Sequence, residues 1–194
     1  VYFADLRGKI KKITNGNHML TMNDLVGKNV VATWTDPSNP SDIVYFNIEN
    51  SDKMRRLTNV NKDIFYNVEF GKVEEINYKS VDEKMIQGWI VKPPQFDSSK
   101  KYPLVLRIHG GPHSMYHVGF NYNFQLHAAQ DQVVLYTNPR GSTGYGYDFA
   151  NAIQNAYPGN DYDDIMAGVD EVISKGYIDE DRMYVYGGSG GGVL

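Results

Sequence analysis

Met183-Tyr184-Val185-Tyr186-Gly187-Gly188-Ser189-Gly190-Gly191-Gly192 is an apolar, strand-forming run that breaks into glycine around a single serine. A G-x-S-x-G segment directly behind a strand is the pattern of a nucleophile elbow, a sharp strand-to-helix turn that lifts a serine hydroxyl above a sheet. Small flanking residues are what permit so tight a turn. A glycine- and serine-rich run also makes a flexible linker, so the sequence upstream has to choose between the two. Only Gly190, Gly191, Gly192, Val193 and Leu194 follow the serine, and the helix that an elbow leads into is expected to lie beyond the chain.

Composition limits the alternatives. With 194 residues, 41% of them hydrophobic and 13% aromatic, the chain has material for one sizeable core or slightly more than one domain. No stretch approaches the roughly eighteen consecutive apolar residues of a membrane-spanning helix, and no membrane partner is expected. A net charge of -4 without a basic run removes the electrostatic footprint of a nucleic-acid partner. The absence of cysteine excludes a thiol nucleophile, a disulfide framework and cysteine-ligated zinc, and leaves the redox compartment open. Val1-Tyr2-Phe3-Ala4-Asp5 reads as a strand already under way, without an initiating Met or a leader. The natural N-terminus is therefore expected to be missing, which leaves export open beside the expected cytoplasmic location.

The first sixty residues repeat themselves. Val1-Tyr2-Phe3-Ala4-Asp5-Leu6 leads through a turn to Lys11-Lys12-Ile13-Thr14, Val44-Tyr45-Phe46-Asn47-Ile48 leads to Arg55-Arg56-Leu57-Thr58, and Tyr2 and Tyr45 are 43 residues apart. That offset matches the period of about 40 to 45 residues of four-stranded propeller blades, with the β-rich run 29–34 between the copies. Two copies also fit a plain β-meander, and a few blades cannot close a ring, so a propeller here is a remnant.

From about Phe65 the pattern changes. Residues 73–80 and 85–91 read as an antiparallel hairpin around Val81-Asp82-Glu83-Lys84, ended by Pro93-Pro94. A buried-type strand over 103–108, a helix over 121–130 and a strand over 132–136 follow in β-α-β order. Asp161 is expected to cap an amphipathic helix whose apolar face holds Ile165, Met166, Val169, Val172 and Ile173, with Gly176 just past its end. Residues 183–186 form the next strand. Alternating strands and helices predict a parallel sheet with right-handed crossovers. The expected division is an end of a β-propeller over 1–62 and an α/β unit over 63–194.

His109-Gly110-Gly111-Pro112 stands directly behind the strand ending at Ile108 and 80 residues before Ser189. Behind an elbow's neighbouring strand, a Gly-rich loop supplies one backbone N–H of an oxyanion hole, and the residue after the nucleophile supplies the other. Gly111 and Gly190 are the candidates. His109, His113 and His117 fall four apart, but Gly110, Gly111 and Pro112 break the helix that a metal site on that spacing would need, and no metal or cofactor is expected. His109 precedes the serine, out of order for the base of this fold, so it reads as a structural residue pinning the loop. Asn138-Pro139-Arg140-Gly141-Ser142-Thr143-Gly144-Tyr145-Gly146 follows the next strand, and Arg140 binds either substrate or a neighbouring carboxylate.

Four motifs in this order, His109-Gly110-Gly111-Pro112, Asn138-Pro139-Arg140-Gly141-Ser142, Asn160-Asp161-Tyr162-Asp163-Asp164 and Gly187-Gly188-Ser189-Gly190-Gly191, resemble the prolyl oligopeptidase family. The likeness is greatest to its acylaminoacyl-peptidase and dipeptidyl-aminopeptidase-like branch, in which a β-propeller precedes an α/β-hydrolase domain, and it covers roughly residues 65–194. The resemblance implies that Ser189 is the acylating nucleophile and that Gly190 and Gly111 are the oxyanion donors. It also implies an Asp and a His downstream of the elbow, which this chain does not contain. His109 stands where dipeptidyl-peptidase members place a Tyr, which points to backbone donation, and Gly190 stands where many members carry an aromatic residue. Glu74-Glu75 lies on a hydrolase-type strand and is not the glutamate pair that reads a peptide N-terminus. The expected function is that of a serine peptidase acting on short peptides, with this chain an inactive fragment of it and the full-length protein open to homo-oligomerisation. An esterase on the same fold, or a non-catalytic binding module, shares every residue named so far.

Overall fold

The computed structural model describes residues 1–194 and divides them into two units, Val1–Glu69 with His117–Asn121, and Phe70–Tyr116 with Tyr122–Leu194. The first unit is built from antiparallel strands. β1 (Tyr2–Ala4) pairs with β2 (Ile10–Lys12), and β3 (Met19–Val26), β4 (Asn29–Asp36), β5 (Asn39–Asn47) and β6 (Asn50–Arg56) form a four-stranded meander in chain order. The two sequence copies are thus the hairpins β1–β2 and β5–β6.

Period-two alternation makes one face of the meander a core. Val30 and Ala32 of β4 and Val44 and Phe46 of β5 are buried together with Ile13. The β4–β5 corner is tied by the Asp36 carboxylate, which accepts the N–H groups of Ser38 at 2.8 Å and Asn39 at 2.7 Å. Buried Asp42 is compensated by the Thr58 hydroxyl at 2.6 Å, the Val60 amide at 3.1 Å and the Arg56 guanidinium at 2.9 Å. The short helix α1 (Lys62–Phe65) follows, and the Phe65 ring lies 6.1 Å from that of Phe120, whose N–H donates to the Thr35 hydroxyl. These contacts are why 117–121 groups with the first unit although it lies between elements of the second.

In the second unit, β7 (Val73–Lys79) and β8 (Met85–Val91) form the hairpin. They are followed by β9 (Tyr102–Ile108), α2 (Tyr122–Ala128), β10 (Val133–Asn138), α3 (Tyr147–Asn151), α4 (Asn160–Ser174) and β11 (Ile178–Gly187). The sheet order is β11-β9-β10-β8-β7, with β9, β10 and β11 parallel and the hairpin antiparallel to them. Parallel order was expected for the strands that alternate with helices and is found for β9, β10 and β11; the sheet as a whole is mixed because the antiparallel hairpin joins it, β8 pairing with β10 from Val91↔Val134 to Gln87↔Asn138. β10 is buried at all six positions, as a central strand covered on both faces must be. Along it the side chains divide by alternation. Val133 and Leu135 join Leu104, Leu106, Ile108 and the α4 residues Ile165, Val169 and Val172 in one core, while Tyr136 packs 4.5 Å from Phe124 of α2.

Two helix details differ from expectation. Asp161 does not cap α4 but sits inside its first turn and reaches back, its carboxylate accepting the Gly159 N–H at 2.6 Å. Met166 is 36% exposed, at the margin of the helix face. Gly176, at φ 84°, closes the C-terminus with its N–H on the Ile173 carbonyl. β11 starts five residues earlier than the apolar run suggested, pairing Ile178 with Tyr102 before a register shift. It borders the sheet with Met183, Tyr184 and Val185 exposed at 43%, 55% and 63%.

Candidate active site

The register of β11 on β9 places Gly187 opposite Ile108, so the loops that follow the two strands leave the sheet side by side at the same level. One carries Ser189 and the other His109-Gly110-Gly111-Pro112. Ser189 has φ 57° and is exposed, and a single 3₁₀ turn over Ser189–Gly192 begins with it. A non-glycine residue in the left-handed region costs on the order of 1 to 3 kcal/mol and persists only where its surroundings impose it. Here the glycines do the imposing. A Cβ at Gly187 would lie 2.0 Å from the Gly191 carbonyl oxygen, and one at Gly191 would lie 2.5 Å from that of Ile108. A flexible linker has no such contacts, and the segment is a tightly packed turn.

The β9 loop touches this turn directly. A Cβ on Gly110 would come within 2.9 Å of the Gly188 carbonyl and 3.3 Å of the Ser189 Cβ. A Cβ on Gly190 would come within 3.0 Å of the Gly111 nitrogen. The two residues expected to supply oxyanion donors therefore meet backbone to backbone, flanking the serine.

Side chains from the loop after β10 hold the β9 loop in place. His109 lies edge-on to Tyr116, with ring centroids 5.2 Å apart. Its Nδ1 is 2.8 Å from the Gly110 carbonyl and its Nε2 3.0 Å from the Ser142 hydroxyl. A carbonyl only accepts, so Nδ1–H donates to it and the Ser142 hydroxyl donates to Nε2. Burial holds the imidazole below its ordinary pKa of 6.5, against the opposing pull of the Gly110 carbonyl, and keeps it neutral at pH 7. His109 therefore pins the loop, as the sequence suggested. His113 donates through Nδ1 to the Gly141 carbonyl at 3.1 Å, and the Thr143 amide donates to the Ser114 carbonyl at 2.9 Å. Buried Asn138 accepts the Tyr116 amide at 2.7 Å and returns a hydrogen bond to the Tyr116 carbonyl at 3.0 Å.

Arg140 takes the carboxylate alternative. Its Nε and Nη2 donate to Asp164 at 2.8 and 2.7 Å, its backbone N–H donates to Asp164 at 2.7 Å, and Nη1 and Nη2 reach Asp82 at 3.1 Å. Asp164 is fully buried on α4, and the Arg140 side chain is 5% exposed. With its planar fork committed to two carboxylates, the guanidinium is not turned toward a substrate at Ser189. The hydrogen bonds to Asp164, followed by those to Asp82, raise its pKa further above the ordinary arginine value. Glu74 is ion-paired to Lys92 at 2.7 Å and Lys72 at 3.0 Å, which depresses its pKa, and Glu75 accepts from Gln87 at 2.7 Å. Both glutamates thus have partners within the hairpin and beside it.

One residue at the site carried no signal in the sequence. The Tyr157 hydroxyl donates to the Gly190 carbonyl at 2.6 Å from the connection between α3 and α4. A lone Tyr before a Pro in a polar loop gives no periodicity or motif by which to find it.

Comparison with known proteins adds the family. The profile described as the Prolyl oligopeptidase family matches residues 118–194. The uncharacterized peptidase YuxL of Bacillus subtilis is 41% identical over 165 residues, covering 84% of this chain and 25% of its own length. Dipeptidyl-peptidase 5 of Porphyromonas gingivalis is 31% identical over 187 residues, covering 95% and 27%. Among solved structures, an acylaminoacyl peptidase in complex with Z-Gly-Gly-Phe-chloromethyl ketone superposes with a TM-score of 0.87 at 28% identity, covering 98% of this chain and 30% of that one. The acylaminoacyl peptidase of Pyrococcus horikoshii superposes with a TM-score of 0.86, also at 28% identity and with the same coverage. The chain thus spans about a quarter of the length of the curated relatives it matches.

Proposed function

Residues 118–194 belong to the prolyl oligopeptidase family, and from that premise we propose that the chain carries the nucleophile and oxyanion half of a serine peptidase acting on short peptides. The observation that carries this reading is the pairing of Gly187 with Ile108, which sets Ser189, at φ 57°, against the Gly110-Gly111 backbone. In the full-length protein the Ser189 Oγ attacks the scissile carbonyl and its proton passes to a histidine outside this chain. The carbonyl oxygen gains negative charge between the Gly111 and Gly190 amides. Collapse expels the peptide amine, which takes that proton, and leaves an ester on Ser189 for water to hydrolyse. An amide placed where charge develops is commonly worth about 10²- to 10³-fold in rate.

The meander β3–β6 and the earlier copy of its last hairpin, β1–β2, support a β-propeller ahead of the hydrolase unit. A propeller that screens out folded proteins favours short peptides over simple esters as the natural substrates. Dipeptidyl-peptidase and acylaminoacyl-peptidase relatives bring exopeptidase specificity into the proposal.

The test is a fluorophosphonate probe on the full-length protein. Labelling at Ser189, its loss in Ser189→Ala, and a fall of about 10⁶-fold in kcat on an acyl-amino-acid p-nitroanilide are expected. An unlabelled serine would overturn the enzyme reading in favour of a binding module. Efficient p-nitrophenyl ester cleavage without amide cleavage would leave an esterase.

A further inference from the structure

Three glycines follow Ser189, and glycine is the residue least able to fix its own backbone. An oxyanion donor works because its direction is set before the charge arrives. Local sequence alone does not set the direction of the Gly190 amide, so a tertiary contact has to.

The structure provides one. Tyr157, 33 residues upstream, donates its hydroxyl to the Gly190 carbonyl at 2.6 Å. The same carbonyl accepts the Val193 amide at 3.0 Å, so it is held from its own turn and from a separate segment of the chain. On its other side residue 190 meets the β9 loop. A Cβ there would stand 3.0 Å from the Gly111 nitrogen, the Gly111 oxygen and the Tyr157 hydroxyl alike. Residue 190 therefore occupies a slot between the loop that bears the other donor and the Tyr157 hydroxyl. In that slot a Cβ would be crowded on both sides, and the residue 190 carbonyl is held from two directions.

We propose that Tyr157 is a positioning residue for the oxyanion site: by anchoring the Gly190 carbonyl, on the peptide unit that follows the Gly190 N–H, it limits the rotation of Gly190 and so steadies the turn that presents this N–H beside the Gly111 loop. The inference rests on the serine peptidase reading above. Burial, reinforced by the charge of Asp161, raises the Tyr157 pKa, so the phenol stays protonated and remains a donor across neutral pH. Because Tyr157 acts through Gly190 and does not touch the substrate, its loss should slow acylation without weakening binding.

The experiment compares full-length Tyr157→Phe, which keeps the ring and removes the hydroxyl, with the unsubstituted protein on an acyl-amino-acid p-nitroanilide. Turnover is normalised to the serines that a fluorophosphonate titrates, so that misfolded molecules do not count. Expected are a kcat about tenfold lower, a KM within about twofold and a parallel fall in the rate of fluorophosphonate labelling, less than the loss of a whole donor. Gly190→Ala, which forces a Cβ against the Gly111 amide, should lose more. Adding Tyr157→Phe to it should cost less than tenfold again, because both changes act on the backbone of one residue. An unchanged kcat per titrated serine in Tyr157→Phe, or a change confined to KM, overturns the positioning role while leaving the serine peptidase reading intact. A Ser189 that no probe labels in the unsubstituted protein overturns that reading, and this inference with it.

Discussion

The loop after β9 and the turn after β11 meet at the same serine, yet they are held by different means. The β9 loop is braced by hydrogen bonds that involve side chains: His109 with Ser142, His113 with the Gly141 carbonyl, and the Tyr116 amide with Asn138, the partners lying at the end of β10 and in the segment that follows it. That segment is in turn locked by Arg140 to Asp164 inside α4. The β11 turn depends on the absence of side chains, with Gly187 against Gly191 and Gly191 against Ile108, on a strand whose outer residues are exposed. The contrast teaches where each half of the site is vulnerable. One fails when a polar partner is removed and the other when an atom is added.

Three experiments would break or sharpen this contrast. The largest effect is expected at the root of the bracing network, in Arg140→Met. It leaves Asp164 buried without its cation, which costs about 3 to 5 kcal/mol for a pair as enclosed as this one. Asp82→Asn, at the end of the network where the carboxylate is 49% exposed, should cost far less. Equal losses from the two in urea unfolding would contradict the placing of the network's weight on the buried Arg140–Asp164 pair.

The next effect comes from adding a single methyl. Gly191→Ala places a Cβ where only 2.5 Å separates it from the Ile108 carbonyl oxygen, a backbone atom that cannot swing aside. Overpacking of this kind costs about 1 to 3 kcal/mol. The damage should be local, so fluorophosphonate labelling of Ser189 is expected to fall much further than the unfolding midpoint does. A variant that labels at the parent rate would contradict the steric account of the elbow.

The smallest effect concerns pH. His109 is neutral in the fold and its pKa lies below 6.5, so an unfolded chain takes up the proton first as the pH falls. The contribution of His109 to stability is therefore full above about pH 6.5 and is lost as the pH drops from there toward its folded pKa. His109→Gln cannot titrate, so its thermal midpoint should decline less steeply than the parent's between pH 6.5 and 5. Parallel declines would mean that other groups, His18 and His117 among them, account for the acid sensitivity.

Much of the architecture was legible because it rests on local pattern. The hairpin over 73–91, the strand ending at Ile108, the helix face of Ile165, Val169 and Val172, and the Gly176 stop all follow from periodicity and turn chemistry. The early part of β11 was missed because Asp179, Glu180, Asp181 and Arg182 are too polar for a buried strand, and at a sheet margin they need not be buried. Asp161 looked like a cap because acidic residues near a helix start usually are; the helix instead begins two residues sooner, with Gly159 at its N-cap. The fate of Arg140 depended on Asp82 and Asp164, 58 and 24 residues away, and no spacing rule joins three such positions.

The sequence by itself determined which residues are candidates for the proposed chemistry. One serine stands between glycines behind a strand, with a second glycine loop 80 residues upstream and the motif order of a known family, because a strained elbow and a backbone oxyanion site demand those residue types. The tertiary structure alone decided the geometry that turns a motif into a site. The register of β11 on β9 brings two distant loops to one level, the Arg140 clamp locks the segment between them, and the Tyr157 hydroxyl lies on Gly190. The physical reason is that glycine specifies freedom, not direction. A sequence can show where the backbone is permitted to bend, but only long-range packing and hydrogen bonds select the single arrangement in which the two glycine segments meet beside Ser189.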